Sequence, residues 1–137
     1  MIIAVRMHGR ASIDSNIEET LQRLRLGKKL TATFIDEKDK IELGMLRKVQ
    51  NFVFFDKISD ELAKKVIEKR GRLKGDKQVK DAGKVLEEIK KGEWKIKKFF
   101  RLHPPIKGFV KSTKLTYQNK GILGHNKDTD KLIERML

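Results

Sequence analysis

Apolar positions along the chain switch between two spacings, and the switches mark out its elements. Ile2 to Met7 is a short, β-branched apolar run that predicts a strand, closed by the turn His8-Gly9-Arg10. Ile13, Ile17, Leu21 and Leu24 then recur at intervals of four, four and three, which places them on one face of a helix. Ser15 and Glu18 have capping-box spacing, so the helix is expected to begin at Ser15 and to stop at Gly27. Leu30 to Ile35 is strand-like again, and Asp36 to Lys40 is a charged loop. Leu43, Leu46 and Val49 mark a second helix from about Lys40 to Gln50, before a third strand at Phe52-Val53-Phe54-Phe55. The aromatic density of that strand predicts at least partial cover on both faces.

Beyond residue 58 the helical spacing dominates. Ser59 is expected to cap a third helix, with Asp60 and Glu61 in the first turn, where the helix dipole favours negative charge. Leu62, Val66 and Ile67 face inward, and Gly71 ends the helix. A fourth helix is predicted over roughly Val79 to Lys91, burying Val85, Leu86 and Ile89 and closing at Gly92. Trp94 to Leu102 reads as a strand running into the only two prolines, Pro104 and Pro105. Proline fixes φ and pushes the preceding His103 toward extended backbone, so the chain leaves this strand stiffly. A Gly-containing basic segment continues to Lys127, and Asp128 or Thr129 caps a last short helix carrying Leu132, Ile133 and Met136. The expected class is α+β: a small two-layer β-α-β-α-β core over 1–58, with a helical and basic extension over 59–137.

Charge sharpens this division. The formal net charge of the 137 residues is +14. Residues 1–58 contribute +3, 59–93 contribute +3, 94–127 contribute +9 and the last ten contribute −1. From Trp94 to Lys127 there is no Asp or Glu at all. A segment without counter-charges is expected to find its anions in a partner, and nucleic acid is the first candidate. Its Gly and Pro residues argue against an amphipathic membrane-surface helix. No apolar run approaches a membrane span, and the N-terminus carries no signal-peptide pattern. A cytoplasmic protein is expected.

The chemistry of catalysis finds little support. Without cysteine there is no disulfide, thiolate nucleophile or Cys-based zinc site. No phosphate-binding glycine loop of either common pattern occurs, no nucleophile elbow surrounds a serine, and His8, His103 and His125 lack metal-ligand spacing. No cofactor, metal or small-molecule substrate is implied. Phosphate binding, by contrast, has many candidates. Lys98, Arg101, His103, Lys107, Lys111, Lys114 and Lys120 lie in the acid-free segment beside Lys95 and Lys97. Phe109 and Tyr117 interleave them as rings on which bases can stack. Arg6 and Arg10 around the first turn, and Arg72 and Lys74 in the Gly71–Gly75 loop, form two smaller sets. By strand alternation Lys97, Phe99 and Arg101 share one face, and Lys98, Phe100 and Leu102 the other. Phe99, Phe100 and Leu102 are expected to anchor the stretch to the core.

Several stretches also resemble a known family. They are Ser15-Asn16-Ile17-Glu18-Glu19-Thr20-Leu21 with Leu24-Arg25-Leu26, Gly44-Met45-Leu46-Arg47-Lys48-Val49, and Phe100-Arg101-Leu102-His103-Pro104-Pro105 followed by Gly108-Phe109. Together with the element order they resemble the large ribosomal subunit protein family numbered thirty in the universal scheme, in its longer archaeal form. The resemblance spans the chain, with 1–58 similar to the core of the short bacterial form. One position departs from the family pattern: Ile106 stands where a basic residue often follows the prolines. The resemblance implies a ferredoxin-like core with a three-stranded, mainly antiparallel sheet. It also implies a non-catalytic protein bound to large-subunit ribosomal RNA, with 5S rRNA a candidate partner and other large-subunit ribosomal proteins as neighbours. The alternatives from other classes are a basic DNA-binding chromatin protein and an RNA-modifying enzyme.

Overall fold

Strand β1 (Ile2–Arg6) sits at the centre because both of its edges are paired. It runs antiparallel to β2 (Thr31–Ile35), with Ile2 opposite Ile35, and antiparallel to β3 (Val53–Lys57), with Ile2 opposite Lys57. The computed structural model describes all 137 residues. Three further strands extend the sheet: β4 (Phe100–Arg101), β5 (Ser112–Thr116) and β6 (Gly121–His125), giving the order β4-β2-β1-β3-β6-β5. β4 pairs antiparallel with β2, and β6 runs parallel to β3. β5 flanks β6 in an irregular register, joined to it by a 3-10 turn over Tyr117–Asn119. There the Leu115 carbonyl lies only 1.8 Å from where a Cβ on Gly121 would stand, so glycine is required at that crossing.

The α+β class therefore holds, but the sheet has six strands rather than three. The added strands all come from the segment expected to be an extension. The layering differs for the same reason. Alternate residues of a strand face opposite sides. Ala4, Ile35 and Val53 meet Leu21 and Leu24 from the α1 region (Ser15–Arg23), and Leu46 and Val49 from the α2 region (Lys40–Lys48). Ile3, Val5, Phe34 and Phe54 face the other way. They would be bare were they not covered by α3 (Asp60–Arg70), α4 (Ala82–Lys90) and α5 (Thr129–Met136). Helices thus cover both faces, and the larger core crosses residue 58 without a break.

Local signals mostly act where the sequence places them. The Ser59 hydroxyl accepts the Leu62 N–H, as expected, while Asp39, read only as part of a charged loop, caps α2 through the N–H groups of Ile41 and Glu42. The first helix is the exception. Asp14 is its cap, accepting the Asn16 N–H at 3.0 Å, and Ser15 is already helical. Glu18 is thereby released from any capping box and turns to Arg6 instead. The left-handed residue after this helix is Arg25 (φ 64°), not Gly27. The strand expected from Trp94 forms only at Phe100–Arg101. Upstream, Ile96 bridges to Leu73 and the Lys97 N–H bonds the Arg72 carbonyl, drawing the chain toward the 72–78 loop.

The Leu-His-Pro-Pro stretch ends up against α5. The N–H groups of His103 and Ile106 donate to the carbonyls of Met136 and Arg135 at 3.1 and 3.0 Å. These are helix-end carbonyls that have no partner within the helix. Arg135 returns the contact, its guanidinium donating to the carbonyls of Ile106 and Gly108. Phe100 and Leu102 are buried in the core, as expected. Phe99 is only half-buried and lies under Arg101, whose guanidinium is 5.9 Å from the ring centre.

Candidate nucleic-acid interface

The register gathers cations at one end of the sheet. β1 leaves the sheet at Arg6, β2 enters at Thr31 and β4 leaves at Arg101, all at that end. The connecting turns carry His8 and Arg10, then Lys28 and Lys29, then His103. Lys114 of β5 lies close enough to act on the same point. Burial first, then the charges of Lys29, Arg6 and Lys114, hold the His8 imidazole below its usual range. Lys28, Lys29 and Lys114 are exposed and belong to no ion pair. Lys28 and Lys29 were not among the residues singled out from sequence. The signal for them was a dibasic pair between a helix end and a strand. The opposite end of the sheet carries Asp36, Glu37 and Asp56. There the N-terminal amine and Lys57 pull Glu37 down to about 2.

The absence of acids between 94 and 127 holds in sequence but not in space. Lys97 is bonded by Asp76, Lys95 by Glu88 and Lys111 by Asp128, so three of the nine cations meet carboxylates from elsewhere in the chain. Hydrogen bonds from their lysines hold the Asp76 and Asp128 carboxyls below their ordinary range, and the hydrogen bond to Glu88 raises Lys95. Lys111 also lies 4.5 Å from the centre of the Tyr117 ring, whose hydroxyl donates to Asp128. Tyr117 is thus part of a fixed cluster rather than a free ring, and Phe109 packs against the core. Lys98, Arg101, Lys107 and Lys120 are exposed without an ionic partner, with Lys98 lying 5.6 Å from the Trp94 ring centre. The exposed edge of His103 is occupied by Arg70, 3.0 Å from Nε2, and Arg70 also donates to the Leu137 carbonyl.

These cations do not form one patch. Arg72, Lys97 and Arg101 surround Asp76 beside β4, with Lys74 exposed on the same loop. Lys111, Lys114 and Lys120 belong to the β5–β6 edge. Five strand spacings separate the two edges, about 24 Å. A ligand touching both must be extended and repeat its charge, as a nucleic-acid backbone does.

Arg6 leaves the surface altogether. Its side chain is 0% exposed. Its guanidinium grips Glu18 through two hydrogen bonds, at 2.7 and 3.2 Å, and donates to the carbonyls of His8, Gly9 and Leu26. This is an internal clamp that ties the first turn to α1 and to the entry of β2. The expectation that Arg6 contacts a phosphate is corrected here, because all its donors already have acceptors. Arg10, from the same set, is exposed and only loosely held, 3.5 Å from Glu18.

No family model matches the chain. Individual relatives match it from end to end. It is 36% identical over 151 residues to the large ribosomal subunit protein uL30 of Cenarchaeum symbiosum, covering 98% of this chain and 97% of that one. The chain belongs to the uL30 family. The uL30 of Nitrosopumilus maritimus is 33% identical over 152 residues, covering 99% of this chain and 97% of the relative. That of Methanobrevibacter smithii is 32% identical with both chains covered completely. Membership therefore rests on the whole length, including the segment beyond residue 58 that completes the sheet. No helix in this uL30 family member is long and apolar enough to cross a membrane.

Proposed function

We propose that this protein is a structural constituent of the large ribosomal subunit, held in the cytoplasmic ribosome by ribosomal RNA. The observation that carries the reading is the set of exposed, unpaired cations at one end and both edges of a sheet in a chain of the uL30 family. Lys28, Lys29 and Lys114 neutralise phosphates at the sheet end, joined by Lys107 and Lys120, with Arg10, exposed but 3.5 Å from Glu18, beside them. Arg72, Lys74, Lys98 and Arg101 serve the β4 side. Lys111 with Tyr117, and His103 with Arg70, are held rigid by their partners and present shaped contacts rather than loose charge. The sheet and its two helical layers fix the spacing, and no bond is made or broken. The extension from 59 acts both as the missing cover of the core and as the carrier of half the RNA surface. Other large-subunit proteins are the expected neighbours, and 5S rRNA is a further candidate.

Sedimentation of a cell extract through a low-salt gradient tests this. The protein is expected with large subunits, and to leave them as salt is raised, since affinity built on phosphate contacts falls steeply with ionic strength. Sedimentation with DNA instead would overturn the ribosomal reading and favour a chromatin protein.

A further inference from the structure

Two of the three histidines have a protein partner for the ring. His103 Nε2 is 3.0 Å from the Arg70 guanidinium, and His125 Nε2 is 3.1 Å from Asp56. Only the His8 ring makes no hydrogen bond or ion pair within the protein. Its position is fixed all the same. The buried Arg6 guanidinium donates to the carbonyls of His8 and Gly9, at 2.6 and 3.1 Å, which pins the turn. The half-buried ring then stands edge-on to Phe52, with ring centres 5.5 Å apart and planes at 81°.

The charges acting on this ring are all of one sign. Arg6 faces it from β1, Lys29 from the turn before β2 and Lys114 from β5. Glu18, the carboxylate of this region, is already held by Arg6 and Arg10. Burial first, and then the three cations, keep the imidazole below its usual value, so it is uncharged at neutral pH. Arg6 has no donor to spare, but Lys29 and Lys114 are exposed and free of ion pairs. An anion seated beside those two lysines reverses the field at His8. An opposite charge within ~4–6 Å favours the imidazolium, which then donates a charge-assisted hydrogen bond to it.

We propose that His8 is a phosphate-binding residue of the sheet end, taking a proton from solvent as an RNA phosphate seats beside Lys29 and Lys114. This role rests on the ribosomal RNA reading above and makes that binding pH-dependent. Its sign follows from linkage: a proton taken up on binding means that affinity rises as pH falls. The rise begins at the pKa of the bound protein. It levels off below that of the free one, which lies under the ordinary 6.5 of an imidazole.

The test uses the full chain and large-subunit rRNA at one fixed salt concentration. Filter binding from about pH 8 down to about pH 5.5 should show the affinity of the unaltered protein rising about tenfold. In His8→Gln, which keeps a polar side chain, the rise should shrink to about twofold or less. NMR of the His8 ring needs no variant. Titrated with and without an eight-nucleotide oligouridylate, its midpoint should move up by about one pH unit when the oligonucleotide is present. An equal pH dependence in His8→Gln, or a midpoint that does not move, would overturn the role of His8 while leaving RNA binding in place. No binding to rRNA at any pH would overturn both.

Discussion

Arg6→Met is expected to lower the unfolding free energy by about 3–5 kcal/mol, the usual cost of breaking a buried ion pair. It should leave RNA affinity per folded molecule within about twofold, because the guanidinium never reaches solvent. The loss comes from two sources. Glu18 is deprived of its two charge-assisted hydrogen bonds, and the carbonyls of His8, Gly9 and Leu26 lose their donor. Urea unfolding at neutral pH measures it. The pH dependence gives a second readout. The hydrogen bond from Arg6, first among its causes, holds the Glu18 carboxyl below its ordinary value. A carboxyl depressed in the folded state contributes stability above its unfolded pKa and loses it as pH falls through the folded value. That acid-side loss should be reduced in Arg6→Met. Full stability combined with weakened RNA binding would show that Arg6 is an RNA contact after all.

The second large effect is on affinity. Replacing Lys28, Lys29 and Lys114 together by glutamine should reduce the slope of log affinity against log salt by roughly 2–3. Binding to large-subunit rRNA at low salt should fall about a hundredfold. Stability should stay within about 0.5 kcal/mol per substitution, since all three side chains are exposed. Replacing Lys95, Lys97 and Lys111 removes as much formal charge but should move the slope by roughly 1 or less. Those lysines are already neutralised by Glu88, Asp76 and Asp128. Filter binding across a salt series compares the two triple variants. Equal slopes would mean that position in the sequence matters more than pairing in space.

That contrast marks where sequence reading succeeded and where it stopped. The apolar spacing of Ile2–Met7, of Ile17 with Leu21 and Leu24, and of Val66 with Ile67 placed the elements well, because local geometry sets those spacings. The Ser59 cap is local too. What sequence could not supply was the partner of each group. Glu18 stands at capping-box distance from Ser15, yet its partner is Arg6, brought near by the return of the chain from β1. The acid-free run ending at Lys127 looked unpaired until folding brought in Asp76, Glu88 and Asp128. Lys28 and Lys29, modest in sequence, gain their place from the sheet end they flank. The face of the sheet carrying Phe34 and Phe54 is covered in this chain by residues of the later helices. The same later segment adds β4 and β6 to the sheet.

Ribosomal RNA is expected to meet the basic end of the sheet and not the acidic one. Ultraviolet crosslinking of intact large subunits, followed by mass spectrometry of the crosslinked peptides, reads this directly. RNA crosslinks are expected in the turns holding His8 and Arg10, in Gly27–Lys29 and in the segment from Lys107 to Lys120, and not in Asp36–Glu42. Crosslinks confined to Asp36–Glu42, or protein absent from the subunits altogether, would contradict it.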